Sequence, residues 1–135
     1  MKGWLITGAS RGFGRDWALA ALQRGDAVVL GARNPADVSD IVAEYPQSAL
    51  AVPMDVTDIA QVATAVTRAR EFLDTVDVVV NNAGYGLFGM IEEITGEQAR
   101  AQFETNVFGA LWVTQAVLPI MREQGSGHII QVSSI

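Results

Sequence analysis

The feature that most constrains this chain is an alternation. Short, nearly continuous apolar runs rich in β-branched residues are separated by stretches whose apolar residues recur at helical spacing. The short runs are Trp4 to Thr7, Ala27 to Leu30, Ala49 to Pro53, Val76 to Val80 and Ile129 to Val132. They are too short for helices and too uniformly apolar for strands wet on one face, so they read as strands buried on both. Strands joined through helices run parallel, with the helices covering both faces of the sheet. The expected fold is therefore α/β, a doubly wound parallel sheet in a three-layer α/β/α arrangement. No internal repeat, low-complexity segment or long linker interrupts the pattern, so a single domain is expected over residues 1–135.

The intervening helices carry their own punctuation. Phe13, Trp17, Ala20 and Ala21 fall on one helical face before Gly25, which stands where a C-terminal cap belongs. A weaker helix, Pro35 to Glu44, opens with proline in its first turn, and Ile59, Val62, Ala63, Val66 and Leu73 mark a third. The box Thr95-Gly96-Glu97-Gln98 opens a long helix expected to run to about Gln124. Its apolar residues, among them Phe103, Val107, Phe108, Leu111, Trp112 and Ile120, cover more than the one stripe a sheet requires. Either the remainder of a larger fold or a second subunit covers the surplus. On the second of these readings the helix around 97–124 is the surface of a homo-oligomer.

Charge and composition exclude several classes. Nine basic against fifteen acidic residues give a net charge of −6, with no basic face to attract nucleic acid or anionic lipid. The apolar run in MKGWLITGASRG meets glycines too soon for a signal peptide or a membrane span. The absence of cysteine removes disulfides and thiolate sites, and suits a reducing compartment such as the cytoplasm. No metal site is expected, because the single histidine, His128, has no second ligand at useful spacing.

Four motifs carry chemistry. TGASRGFG, Thr7 to Gly14, sets glycines at 8, 12 and 14 between a strand and a helix. Glycine permits a tight turn and close approach of a phosphate, and the helix that follows aims free N–H groups and its positive dipole end at the anion. The spacing, Gly-x-x-x-Gly-x-Gly, differs from the commoner dinucleotide fingerprint. Where such folds place an acid for the ribose 2′-hydroxyl, this chain reads Gly31-Ala32-Arg33, and Arg11 lies in the glycine loop. Two guanidinium groups match a 2′-phosphate, which favours NADP(H) while leaving NAD(H) possible through Asn34. Asp55, in MDVTD, admits two readings: an acceptor for an adenine amine, or a helix cap together with Thr57 and Asp58. NNAG, Asn81 to Gly84, ends the fourth strand with amides able to tie strands together and a glycine that lets backbone approach a ribose.

TGASRGFG, MDV, NNAG, TNVFG around Asn106 and the terminal VSS, in this order, resemble the short-chain dehydrogenases/reductases over the whole chain. The resemblance implies a Rossmann-like sheet and reversible hydride transfer between a nicotinamide cofactor and a carbonyl or secondary alcohol. It implies that Gly8, Ser10, Arg11, Gly12, Phe13 and Gly14 hold the pyrophosphate and adenosine side, and that Arg33 selects the 2′-phosphate. It places Asp55 and Val56 at the adenine and Asn82, Ala83 and Gly84 at the ribose. It makes Asn106 the organiser of a proton-relay water and Ser134 the catalytic serine, with Ser133 supporting the strand end. Tyr85, Leu87, Phe88 and Met90 suggest an apolar, ring-containing or lipid-like small-molecule substrate.

One family element has no counterpart. The Tyr-x-x-x-Lys motif lies beyond the serine in the family, whereas here the tyrosines are Tyr45 and Tyr85 and the lysine is Lys2. An unassisted serine hydroxyl is too weak an acid to replace that tyrosine, and Tyr85 has no lysine nearby in sequence. The expectation is the amino-terminal part of a longer enzyme, a fold incomplete on its C-terminal side and inactive alone. The competing expectation is a non-catalytic nucleotide-binding or interaction module. In either case Ile129 to Val132 would be an apolar edge that something should cover.

Overall fold

The computed structural model describes residues 1–134; Ile135, the last residue of the expected domain, lies outside them. Five parallel strands form one sheet: β1 (Gly3–Ile6), β2 (Ala27–Ala32), β3 (Ala49–Pro53), β4 (Val78–Asn81) and β5 (His128–Gln131). Their order is β3-β2-β1-β4-β5, so the chain winds outward from β1 in one direction and then in the other. The helices are α1 (Gly12–Gln23), α2 (Ser39–Glu44), α3 (Ile59–Phe72), α4 (Gly96–Phe103) and α5 (Ala110–Gln124), and a 3₁₀ turn, Pro35–Val38, precedes α2. This is the expected Rossmann-like, doubly wound α/β architecture.

The uniform apolarity of the strands follows from their two buried faces. Successive side chains point to opposite sides of a strand, so each run feeds two cores at once. Leu5, Val29 and Val79 face one side with Val62 and Val66 of α3 and Val113 and Val117 of α5. Ile6, Val28, Leu30, Val78 and Val80 face the other with Ala18, Ala21 and Leu22 of α1 and with Val38 and Ile41. The pairings Ile6 with Leu30 and Ile6 with Val80 keep both sets in register.

Three details differ from the sequence expectation. First, α1 buries Gly14, Ala18, Ala21 and Leu22. Phe13 is 70 % exposed and Trp17 37 %, the two rings stacked on each other with centroids 5.6 Å apart. Second, β4 begins at Val78, because the backbone of the buried Val76 is taken by a side chain. Its N–H donates to Gln124 Oε1 at 2.9 Å, and its carbonyl accepts from Gln124 Nε2 at 3.1 Å. Third, the long helix is interrupted between α4 and α5 by a wider π-helical stretch, Glu104–Gly109. Such widenings are rare and gather at functional sites.

The strand β5 closes the order on one side, with Ile130 and Val132 each 41 % exposed. Among the described residues no strand lies beyond it. Phe103, Val107, Phe108 and Leu111 are exposed as well, and Phe108 stacks on Trp112 with centroids 6.0 Å apart.

Candidate functional site

The winding reverses direction between β1 and β4, and the loops leaving their carboxyl ends diverge there to leave a crevice. A cleft of about 1080 Å³ occupies this position. Its floor is built around Thr7, at the end of β1 and almost fully buried. The Thr7 hydroxyl donates to the Val80 carbonyl at 3.4 Å and accepts from the backbone N–H groups of Asn82 and Ala83, both at 3.0 Å. Asn82 returns the contact: its Nδ2 donates to the carbonyls of Thr7 at 3.3 Å and Gly8 at 3.1 Å. The ends of β1 and β4 are thereby locked together.

The glycines make that lock possible. Gly8 has φ +62°, a conformation side chains disfavour, and a Cβ there would lie 2.9 Å from Ala83 Cα. A Cβ on Gly14 would lie 2.5 Å from both the Gly8 carbonyl oxygen and Asn82 Nδ2. The first turn of α1 therefore sits directly against the β1 loop. Its N-terminus has no side-chain cap, in contrast to α3, capped by Asp58, and α4, whose Thr95–Gln98 capping box is complete, and it carries no acid in its first turn. Uncapped N–H groups at a helix start favour an anion.

Most of the residues singled out in the sequence come together here. Gly8, Ser10, Arg11 and Gly12 line one side of the cleft, Arg33 and Asp55–Val56 a second, and Asn82–Gly84 the base. Arg11 and Arg33 are exposed. Among the described residues the ion pairs are Arg15–Asp40, Arg24–Asp26 and Arg70–Glu123, so neither wall cation is consumed by a carboxylate. Asp58 is the cap of α3, accepting from Ala60 and Gln61 N–H, whereas Asp55 turns one oxygen onto Thr57. That oxygen accepts from the Thr57 N–H at 3.0 Å and hydroxyl at 2.7 Å, leaving the carboxylate at the cleft wall. Phe13 and Gly14 are not among the lining residues; Gly14 acts beneath the loop, and Phe13 stacks outward on Trp17.

Asn106 stands on the π-helical stretch and grips the loop that follows NNAG. Its Oδ1 accepts from the Tyr85 N–H at 2.9 Å, and its Nδ2 donates to the Tyr85 carbonyl at 2.8 Å. Gln102 adds a third bond to that carbonyl at 3.2 Å. Thr105 and Glu104 of the same stretch form the remaining wall. Ser133 and Ser134 follow β5, both exposed, and neither lines the cleft. Among the described residues no group of three potential metal ligands occurs, and no helix is long and apolar enough to cross a membrane.

The sequence alone did not reveal Thr7 as the hydrogen-bonding hub, Gln102, or the π-helical wall. The signal for the wall was present in Gly109: a Cβ there would lie 2.4 Å from Val56 Cγ2. A glycine inside an apolar helical pattern marks such a close approach.

Comparisons with known proteins add the following. A family model described as short chain dehydrogenase matches residues 2–135. Oxidoreductase BOA17 of Botryotinia fuckeliana is 45 % identical over 135 residues, covering 99 % of this chain and 49 % of that protein. The crystal structure of a short-chain dehydrogenase from Streptomyces avermitilis superposes with a TM-score of 0.94 at 45 % identity, covering 99 % of this chain and 50 % of that one. Other solved structures of this fold hold NADH or NADP. The chain spans about half the length of the curated relatives it matches.

Proposed function

The chain belongs to the short-chain dehydrogenase family, and on that premise we propose that it forms the dinucleotide-binding part of an NADP(H)-dependent oxidoreductase interconverting a carbonyl and a secondary alcohol. One observation carries the reading: an uncapped helix start, cleared of side chains by Gly8 and Gly14, opens onto a cleft flanked by two unpaired guanidinium groups. Pyrophosphate fits the helix start, and a 2′-phosphate fits Arg11 and Arg33. With an arginine where an acid would hold the ribose hydroxyls, NADP(H) is preferred to NAD(H).

The remaining roles are those that membership of the family implies. Ser10 and Gly12, with the backbone N–H of Phe13, whose ring turns outward, surround the pyrophosphate; Asp55 and Val56 face adenine, and Asn82, Ala83 and Gly84 lie along the ribose. Bound dinucleotide supplies the hydride. Asn106 holds the Tyr85 loop in place and organises the water that relays the proton; Ser134 hydrogen-bonds the substrate oxygen. The exposed apolar residues of α4, the π-helical stretch and α5 make the contact with a second copy of the chain, in a cytoplasmic setting.

Protonation of the developing alkoxide is the step this chain does not supply. The lysine, Lys2, lies at the amino-terminal edge of the sheet, its N–H bonded to Asp26, while Tyr85 lies at the opposite edge. Without an acid partner the hydride has no favourable destination. A second reading, nucleotide binding without turnover, rests on this separation. Titration of the purified chain with NADPH, followed by fluorescence, together with NADPH oxidation over a carbonyl panel, tests both. Binding without oxidation is expected; absence of binding refutes the proposal, and catalysed oxidation refutes the missing-acid argument.

A further inference from the structure

Outside the lining of the cleft, one side chain joins its two cationic walls. Arg15, on α1, is 26 % exposed at its side chain. One terminal nitrogen donates to the Ser10 carbonyl at 3.3 Å and to the Asp37 carbonyl at 3.2 Å, and the other is ion-paired with the Asp40 carboxylate. Ser10 immediately precedes Arg11. Asp37 sits in the 3₁₀ turn that follows Arg33, and Asn34 caps that turn by accepting from the Ala36 N–H at 3.1 Å. The guanidinium therefore ties the glycine loop to the segment leaving β2. A planar fork with donors on both nitrogens suits acceptors on separate segments, whereas an ammonium on a flexible stem does not hold the same geometry.

We infer that Arg15 is a positioning residue that fixes the spacing between Arg11 and Arg33, and so sets the preference for a dinucleotide carrying a 2′-phosphate; the inference rests on the proposed NADP(H) cleft. Arg11 and Arg33 are long and exposed, with no ion-pair partner among the described residues. Whether both guanidinium groups reach one phosphate depends on where their backbones are held, because the cost of ordering two flexible side chains falls when their origins are fixed. Arg15 holds the Ser10 carbonyl beside Arg11 and the Asp37 carbonyl four residues after Arg33, in the turn that Arg33 leads into. It does not line the cleft itself. NADH lacks the 2′-phosphate, so its binding is indifferent to that spacing.

The test titrates the chain with NADPH and with NADH, comparing wild type, Arg15→Lys and Asp40→Asn, with a thermal melt of each. Charge and positioning predict opposite results. If Arg15 acted through its charge alone, Arg15→Lys would leave NADPH affinity unchanged, and Asp40→Asn, by removing a negative charge, would tighten it. Positioning predicts that Arg15→Lys weakens NADPH about tenfold, the scale of one lost charge-assisted hydrogen bond. It predicts that Asp40→Asn weakens NADPH as well, by a smaller factor, and that NADH changes less than about twofold in either variant, within the scatter of a surface substitution. Equal losses for both dinucleotides, or unchanged NADPH affinity in Arg15→Lys, overturn the inference while leaving the cleft in place. Wild type that binds neither dinucleotide, or binds NADH as tightly as NADPH, overturns the underlying reading and the inference with it.

Discussion

Replacing Asp26 by asparagine separates the stability of the fold from the chemistry of the cleft. Asp26 lies just before β2, at the sheet edge opposite the cleft, with its side chain 10 % exposed. One carboxylate oxygen accepts from the Lys2 N–H at 2.9 Å; the other accepts from Trp4 Nε1 at 3.0 Å and from the Arg24 guanidinium at 2.8 Å. Burial pushes this carboxyl up, but the Lys2 amide, Arg24 and Trp4 together outweigh it and lower it to about 2 from an ordinary 3.8. That shift corresponds to roughly 2 kcal/mol of stability from the ionised form. Because the folded value is the lower one, the contribution is complete above about pH 4 and is lost as pH falls toward about 2. Asparagine keeps an oxygen for Lys2 but turns an NH₂ toward two donors. In urea unfolding between pH 5 and 8, Asp26→Asn should lose roughly 2 kcal/mol, with the gap to wild type narrowing below pH 4. NADPH affinity under native conditions should not change. A gap independent of pH, or one that widens in acid, would refute the reasoning.

Four further substitutions probe the site. Gly14→Ala sets a methyl 2.5 Å from the Gly8 carbonyl oxygen, which is backbone and cannot swing aside, so NADPH affinity should fall at least about tenfold in a fluorescence titration. Gly109→Ala sets a methyl 2.4 Å from Val56 Cγ2; denaturation should show a loss of about 1–3 kcal/mol. Val56→Ala in the same chain should recover part of that loss, and strict additivity in the double-mutant cycle would contradict the contact. Arg33→Asp exchanges attraction for repulsion at the 2′-phosphate and should weaken NADPH far more than NADH; equal losses would count against Arg33 as the selector.

The fold was legible because β-strands buried on both faces leave an unmistakable trace, a nearly unbroken apolar run such as VDVVV or AVVLGA. The glycine loop was legible for a local reason as well, since strand, glycines and helix are contiguous. What escaped depends on partners distant in the chain. The apolar residues from Phe103 to Ile120 continue at helical spacing straight through the π-helical stretch. What accompanies the widening is Val56 packed against Gly109 and Asn106 bonded to Tyr85, neither visible in helical periodicity. Phe13 and Trp17 occupy the right period for a core face, yet α1 lies so close to the β1 loop at Gly14 that its small Ala18 and Ala21 are the residues buried. The shortened β4 has the same origin: Gln124, forty-eight residues away from Val76, takes the bonds a strand neighbour would have made.

The central claim, that the cleft at the carboxyl ends of β1, β2 and β4 receives the dinucleotide, is tested most directly by mapping backbone amide NMR shifts of the chain on addition of NADP⁺. The largest changes should fall on Ser10 to Gly14, Arg33, Asp55, Val56 and Asn82 to Gly84, with Asp26, Asp77 and His128 at the far edge unmoved. Shifts absent throughout, or concentrated on the exposed apolar face of α5, would contradict it.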